Sequence, residues 1–96
     1  MAIAVIIETQ GTPEDYQRMG EALGVAEEPP AGMLTHIAMH AETGVRVVEV
    51  WESQEAYDTF VRDRLGPALE KMGVDRWAAP PPQGHPVIYH VSNASN

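Results

Sequence analysis

The chain has 96 residues, 44% of them apolar and 21% charged, and six basic residues against fourteen acidic ones give a net charge of −8. This length fits one small domain and is too short for two-domain architectures or large cofactor-binding folds. The acidic balance repels phosphate groups, so the sequence predicts neither a nucleic-acid partner nor an anionic membrane surface. The lack of cysteine in the sequence excludes disulfides, thiolate metal sites and cysteine nucleophiles.

The apolar start of the chain is not typical of a signal peptide, because Glu8 ends the run and no basic residue precedes it. No apolar stretch of the sequence approaches the roughly 20 residues that span a bilayer. We therefore expect a soluble, cytoplasmic protein with a single domain over residues 1–92 and a frayed polar tail over residues 93–96.

The first third of the chain predicts a strand, a helix and a loop. Residues 2–8 are rich in β-branched side chains, which favours a buried strand. Thr12 and Pro13 predict a helix N-terminus, and Gly24 predicts its end. The apolar stripe of this helix is predicted to consist of Tyr16, Met19 and Leu23. The proline-containing stretch 25–32 predicts a loop.

The middle of the chain predicts a β-hairpin followed by a helix. Two strands, over 33–40 and 45–52, flank a turn at 42–44. Ser53 predicts the cap of a second helix, because a serine side chain can accept from the backbone of the first turn. The Gly66–Pro67 step predicts an interruption of this helix, after which Pro67 can start a new turn.

The end of the chain predicts a stiff, proline-rich connector over 74–86 and a fourth strand over 87–91. The resulting β-α-β-β-α-β order predicts an α+β, ferredoxin-like domain: a four-stranded antiparallel sheet with both helices on one face. The other face of such a sheet would be open in a monomer, which indicates a homodimer.

The hairpin assigns residues to the two faces of this sheet. A turn of three to four residues pairs positions whose numbers add to about 85, so His36 faces Glu49 and Leu34 faces Trp51. We expect the helices to cover the uniformly apolar face, which carries Ile37, Met39, Val48 and Val50. The opposite face mixes His36, His40, Glu49 and Trp51 with Leu34, Ala38, Val45 and Val47. Such a mixture is typical of a semi-enclosed pocket between two packed sheets.

His36 and Glu49 are the candidate catalytic pair. A carboxylate can orient one imidazole tautomer, so that the other ring nitrogen acts as a base towards a phenol or a carbon acid. A buried hydrogen bond that only fixes the sheet or the dimer is the alternative. The substrate contacts are predicted to come from His40, Trp51, Leu34 and Val47, with Trp51 as a stacking wall.

Two histidines and a carboxylate are also the ligand set of a metal facial triad. His36 and His40 lie four residues apart on a strand, about 13 Å along the backbone, which is far for one shared metal. We therefore predict no metal and no organic cofactor. Whether His85 or His90 joins the site is left open.

The run Val50–Tyr57, followed by Phe60, resembles the antibiotic-biosynthesis-monooxygenase-like family of dimeric α+β barrels, in which a strand ending in a Trp-x-Ser step leads into the second helix. The order of elements extends this resemblance over nearly the whole chain. It implies a homodimer whose two sheets face each other, with a pocket between sheet and helices or inside the barrel. The family includes cofactor-independent oxygenases of polyketide aromatics, quinol oxygenases, haem-degrading enzymes, isomerase-like proteins and proteins without known activity.

The resemblance disfavours haem degradation of the family's type, and a haem ligand on a strand is left open. That branch carries a tryptophan where this chain has Phe60, and a haem-ligating histidine where it has Glu70. The functional hypothesis is an enzyme similar to the cofactor-independent monooxygenases, or an isomerase or cyclase. It would act on a small hydrophobic aromatic or polyketide-like molecule by proton abstraction, with His36 as base. The alternative is a homodimer that binds a small molecule, or is purely structural, without catalysis.

Overall fold

The computed structural model describes residues 1–73 and 82–91. The elements, in chain order, are β1 (Ile3–Thr9), α1 (Pro13–Leu23), β2 (Met33–Ala41), β3 (Gly44–Trp51), α2 (Gln54–Phe60), a π-helical segment (Val61–Leu65), α3 (Gly66–Lys71) and β4 (Gly84–Pro86). Within these residues the strands form one antiparallel sheet in the order β2-β3-β1-β4. This arrangement confirms the predicted ferredoxin-like α+β fold.

Two parts of the predicted organisation lie outside the described residues: the stretch 74–81 of the connector and the polar tail. The boundary of the single domain at residue 92 stays a prediction. None of the helices in the described part of the chain is long and apolar enough to cross a membrane.

The helix ends confirm the predicted capping residues. The Thr12 hydroxyl accepts from the Asp15 amide at 3.1 Å, and the Asp15 carboxylate accepts from the Thr12 amide at 3.5 Å, which completes a capping box. Gly24 adopts the left-handed conformation that ends α1. Ser53 caps α2 by accepting from the Ala56 amide at 3.1 Å.

The α-helix is interrupted one step earlier than predicted, by the π-helical segment Val61–Leu65, and α3 starts at Gly66 with Pro67 in its first turn. Pro67 has no amide hydrogen, and in a regular α-helix its ring would clash with the carbonyl of Asp63. The chain accommodates the proline by widening one turn: the amide of Gly66 bonds to the carbonyl of Val61, a π-helical step.

The hairpin pairs His36 with Glu49 as predicted, but the pairing of Leu34 with Trp51 is wrong. The register shifts between Met33 and Thr35, so Met33 lies opposite Trp51 and Leu34 is the extra residue of a bulge. The tight turn needs Gly44, since a β-carbon there would collide with the carbonyl oxygen of Thr9.

The helices cover the opposite face of the sheet from the one predicted. The packed cluster under the helices consists of strand residues from the Trp51 face together with two side chains of α2: Ile3, Val5, Trp51, Tyr57 and Phe60. Ile37 and Met39, predicted to be covered, are 49% and 40% exposed. The physical reason is that Trp51, flanked on β1 by Ile3, offers the helices a larger apolar surface than the aliphatic face of the hairpin does.

The fourth strand lies earlier than predicted, at Gly84–Pro86 instead of 87–91. β4 pairs with the edge of β1, where Pro86 is tolerated because an edge strand does not need every amide hydrogen. Gly84 fits there because a β-carbon would collide with Gln54 and Ile3. Of the apolar residues that suggested a strand, Ile88, Tyr89 and Val91 are instead exposed, Ile88 almost completely.

Candidate active site

A cavity of about 450 Å³ lies between the helix-covered face of the sheet and the helices. Its volume is in the range of small-molecule sites. The lining is mostly apolar and comes from β1, α1, β2, β3, α2, the π-helical segment and α3; it includes Ile7, Met19, Leu23, Met33, Val47, Phe60, Leu65 and Leu69. The polar lining side chains include Tyr16, His36 and Glu49. The cavity therefore suits an apolar molecule with few polar groups.

Three of the polar side chains that line the cavity, Tyr16, His36 and Glu49, form a hydrogen-bonded network. The Tyr16 hydroxyl lies 2.6 Å from Nε2 of His36. Nδ1 of His36 lies 2.9 Å from Oε2 of Glu49, and the indole N–H of Trp51 donates to Oε1 of the same carboxylate at 3.1 Å. Glu49 is only 5% exposed, so these two bonds replace the water that its carboxylate loses on burial.

The donor and acceptor capacity of each group shows which atoms donate in this hydrogen-bond network. An ionised carboxylate only accepts, and the indole of Trp51 only donates. Nδ1 of His36 therefore carries the proton that it shares with Glu49. In the neutral imidazole, Nε2 is then the acceptor, and Tyr16 donates its hydroxyl proton to it.

These four side chains are brought together by their positions on two neighbouring strands and on α1. Glu49 and Trp51 are two residues apart on β3, so their side chains share a face, and His36 lies directly opposite Glu49 on β2. Tyr16 descends from α1, with its ring 6.2 Å from the imidazole and inclined by 21° to it. Each of the four hydrogen-bonded residues thus lies on a helix or a strand.

Burial and the nearby Glu49 carboxylate raise the pKa of Tyr16 to about 12. Burial first, and then the Glu49 and Asp58 carboxylates, raise the pKa of Tyr57 to about 12. Both phenols line the cavity and stay protonated at neutral pH. The cavity therefore presents phenol hydroxyls, not phenolates.

The cavity brings together three of the six predicted site residues: His36, Glu49 and Val47. Trp51 is fully buried under α2, where its ring packs against Tyr57 at 5.5 Å and Phe60 at 5.4 Å. Its indole N–H holds Glu49, and Trp51 is not among the cavity-lining residues.

His40 and Leu34 lie away from the large cavity. His40 lines a second, smaller cavity of about 140 Å³, which also contacts Tyr16 and Met39. Leu34 is exposed at the bulge, where the register shift turns it away from its predicted position.

The other two histidines do not join His36. His85 lies opposite Ala4 on the sheet face that the helices leave open, and Nε2 of His90 lies 3.4 Å from the hydroxyl of Thr35. Across residues 1–73 and 82–91, no group of three or more His, Asp or Glu side chains could hold a metal ion.

Tyr16 is the site residue that sequence reasoning missed, because its helical spacing with Met19 and Leu23 predicted a core position. The hydroxyl of Tyr16 could have indicated this role. A partly buried tyrosine hydroxyl needs a polar partner, and the sheet face predicted to lie under the helices had none. Placing the helices on the His36 face would have supplied that partner.

Neither a protein-family model nor a curated protein sequence matches this chain. Two solved structures are similar to it over nearly their full lengths. An antibiotic biosynthesis monooxygenase from Chloroflexus aurantiacus J-10-fl is 16% identical, with a TM-score of 0.62, over 95% of this chain and 98% of the other. A heme-degrading protein from Mycobacterium tuberculosis, in a heme-free form, is 21% identical, with a TM-score of 0.60, over 96% of this chain and 100% of the other. These likenesses show that the chain has the fold of the antibiotic-biosynthesis-monooxygenase-like proteins.

Proposed function

From the fold that it shares with an antibiotic biosynthesis monooxygenase, we propose that this chain is a small-molecule enzyme that removes a proton from a hydrophobic aromatic substrate. The observation that carries the proposal is the His36–Glu49 pair, 2.9 Å apart, at the edge of an apolar cavity. Glu49 fixes the tautomer of His36 and stabilises the imidazolium that forms when His36 accepts the substrate proton.

The cavity favours a neutral substrate. Of the described residues that line it, none is Lys or Arg, so an anionic group would meet no opposite charge there. The buried Glu49 carboxylate adds negative charge beside His36. A substrate carboxylate or phosphate would be repelled, whereas a neutral phenol or enol can bind and ionise only as its proton passes to His36.

Proton removal is the step shared by oxygenation, isomerisation and cyclisation, and oxygenation needs molecular oxygen as co-substrate. For an aromatic quinol, the deprotonated ring gives electrons to dioxygen, and a new C–O bond forms at a ring carbon. Loss of one water then leaves a hydroxyquinone: quinol plus O₂ gives hydroxyquinone plus H₂O. The protein's part in this reaction is to bind the quinol, exclude water and take the first proton.

Haem does not fit the residues present. Both ring nitrogens of His36 are already hydrogen-bonded, to Tyr16 and to Glu49, so this imidazole is not a free axial ligand. The described lining offers no cation to the haem propionates, and Phe60 is packed against Trp51 in the core. The likeness to a heme-degrading protein therefore does not extend to a haem site here.

The proposal is tested with 1,4-dihydroxynaphthalene, a neutral two-ring quinol, by following oxygen uptake above the uncatalysed rate. The His36→Gln variant is expected to lose about 10²–10⁴-fold in rate, the usual contribution of a general base. Glu49→Gln is expected to lose rate as well, because an amide no longer selects the tautomer with a proton on Nδ1.

The matched control is His85→Gln, the same substitution on the opposite face of the sheet, which should leave the rate unchanged. Equal rates in the wild type and in His36→Gln would contradict the proposal. Binding of the quinol without catalysed oxygen uptake would favour the non-catalytic binding role.

We further propose that the open sheet face binds a second copy of the chain, as in a dimeric α+β barrel. Ile6, Ile37 and Met39 present an exposed apolar surface on that face. A two-fold axis would place this patch against its own copy and cover both. Light scattering at micromolar concentration should report a dimer, and Ile37→Lys a monomer, whereas Thr43→Lys in the hairpin turn should stay dimeric. A monomeric wild type would overturn this part of the proposal.

A further inference from the structure

Tyr16 is hydrogen-bonded to Nε2 of His36, the ring nitrogen that would accept the substrate proton in the proposed reaction. Its hydroxyl lies 2.6 Å from Nε2 of His36, while Nδ1 is held by Glu49. Neither nitrogen therefore presents a free lone pair to the cavity. A substrate can reach the imidazole only by displacing Tyr16 or by acting through it.

The phenol oxygen of Tyr16 has capacity for a further hydrogen bond. A tyrosine hydroxyl donates one proton and also accepts, and here the proton is directed to His36. Tyr16 lines the large cavity, so a ligand there can approach the hydroxyl. The ligand group that matches a free acceptor is an O–H donor, as in a phenol, a quinol or an enol.

We propose that Tyr16 is the catalytic residue that meets the substrate, and that it relays the proton of an aromatic O–H acid to His36. The substrate O–H bond breaks as that proton moves to Oη of Tyr16. The original Tyr16 proton moves at the same time to Nε2 of His36. The net result is a substrate anion, an unchanged Tyr16 and an imidazolium ion bound to the Glu49 carboxylate.

The electrostatics of the site favour a concerted transfer. Because burial and Glu49 raise the pKa of Tyr16 to about 12, a standing tyrosinate is disfavoured. The two protons therefore move together, and Tyr16 is neutral before and after the step. The imidazolium, by contrast, gains the neighbouring carboxylate as a counter-charge at 2.9 Å.

This inference rests on the proposed function, and a double-mutant cycle separates the two. The assay is again oxygen uptake with 1,4-dihydroxynaphthalene, on the wild type, Tyr16→Phe, His36→Gln and the double variant. In a relay the two residues act in series, so each single variant should lose about 10²–10⁴-fold and the double variant no more than either. The phenylalanine keeps the ring and removes only the hydroxyl.

Other outcomes of the cycle contradict the relay. If His36 takes the proton directly, Tyr16→Phe frees Nε2 and the rate stays within about three-fold of the wild type or rises, while His36→Gln remains slow. Independent contributions would make the double variant slower than both single variants. If His36→Gln alone has no effect, the proposed function fails, and the relay with it.

A structural readout guards against a folding defect. Nitrogen NMR of the His36 ring should show Nε2 losing its hydrogen bond in Tyr16→Phe, with Nδ1 still protonated because Glu49 is unchanged. Tyr89→Phe, which removes a hydroxyl from an exposed tyrosine, is the control for the substitution itself and should leave both the rate and the spectrum unaltered. An unchanged Nε2 signal in Tyr16→Phe would show that the Tyr16–His36 bond is absent in solution and overturn the relay.

Discussion

The two helices that begin at Thr12 and Ser53 use the same sheet face in different ways. α2 buries Tyr57 and Phe60 against Trp51. None of the residues of α1, all of which the structure describes, is fully buried. α1 meets the sheet through the Tyr16–His36 hydrogen bond, and its half-buried Leu23 packs against the core. α2 therefore completes the core and also lines the cavity, whereas α1 lines the cavity without burying any residue fully.

α1 is also held by hydrogen bonds from the π-helical segment, which lies outside the sheet. Arg64, in the π-helical segment, donates to the carbonyl of Leu23 at 2.8 Å and to that of Glu28 at 2.9 Å. Leu23 is the last residue of α1, where a cation is favoured by the exposed carbonyls. The Arg64 guanidinium lies 5.8 Å from the centre of the Phe60 ring. Arg64 therefore links the end of α1 to the core side chain Phe60.

The largest expected effect separates the two helices by stability. Phe60→Ala should lower the free energy of unfolding by about 3–5 kcal/mol, because it opens a void beside Trp51 in the packed core. Met19→Ala in α1 should cost only roughly 1 kcal/mol, since its half-buried side chain faces a space that is already open. Urea unfolding of both variants measures this difference. Equal losses would mean that α1 packs as tightly as α2.

A smaller loss of stability is expected when the hydrogen bonds between Arg64 and the end of α1 are removed. Arg64→Met keeps an apolar stem of similar length but removes both carbonyl contacts, and should cost about 1 kcal/mol. The control is Arg62→Met, because Arg62 pairs with its neighbour Asp63 on the exposed surface and such pairs contribute little. Hydrogen exchange should show faster opening of α1 in Arg64→Met alone. Protection of α1 from hydrogen exchange equal to that in Arg62→Met would show that α1 does not depend on the Arg64 hydrogen bonds.

The sequence was sufficient for the order of elements, the helix caps and the His36–Glu49 pairing, because each depends on local chemistry or on a short hairpin. It was not sufficient to choose the face that the helices cover, because that choice depends on Trp51 meeting residues of β1 that are far away in the chain. The misplaced face also hid Tyr16, whose partner lies across that packing. The bulge at Leu34 had no sequence signal that the alternation of apolar residues could reveal.

The last expected effect appears only at alkaline pH and concerns the cavity wall. The pKa of Tyr16 is raised from 10.0 to about 12 in the folded chain, so above pH 10 the unfolded chain releases this proton first. The free energy of unfolding should therefore fall as the pH rises from about 10 to about 12, and this part of the fall should be missing in Tyr16→Phe. Because Tyr57 has the same raised pKa, it contributes a similar fall in both proteins. The difference in ultraviolet phenolate absorbance between the wild type and Tyr16→Phe should titrate near pH 12. A midpoint near pH 10 would show that α1 opens far enough to hydrate the phenol, and that the cavity wall is looser than the packing of α2.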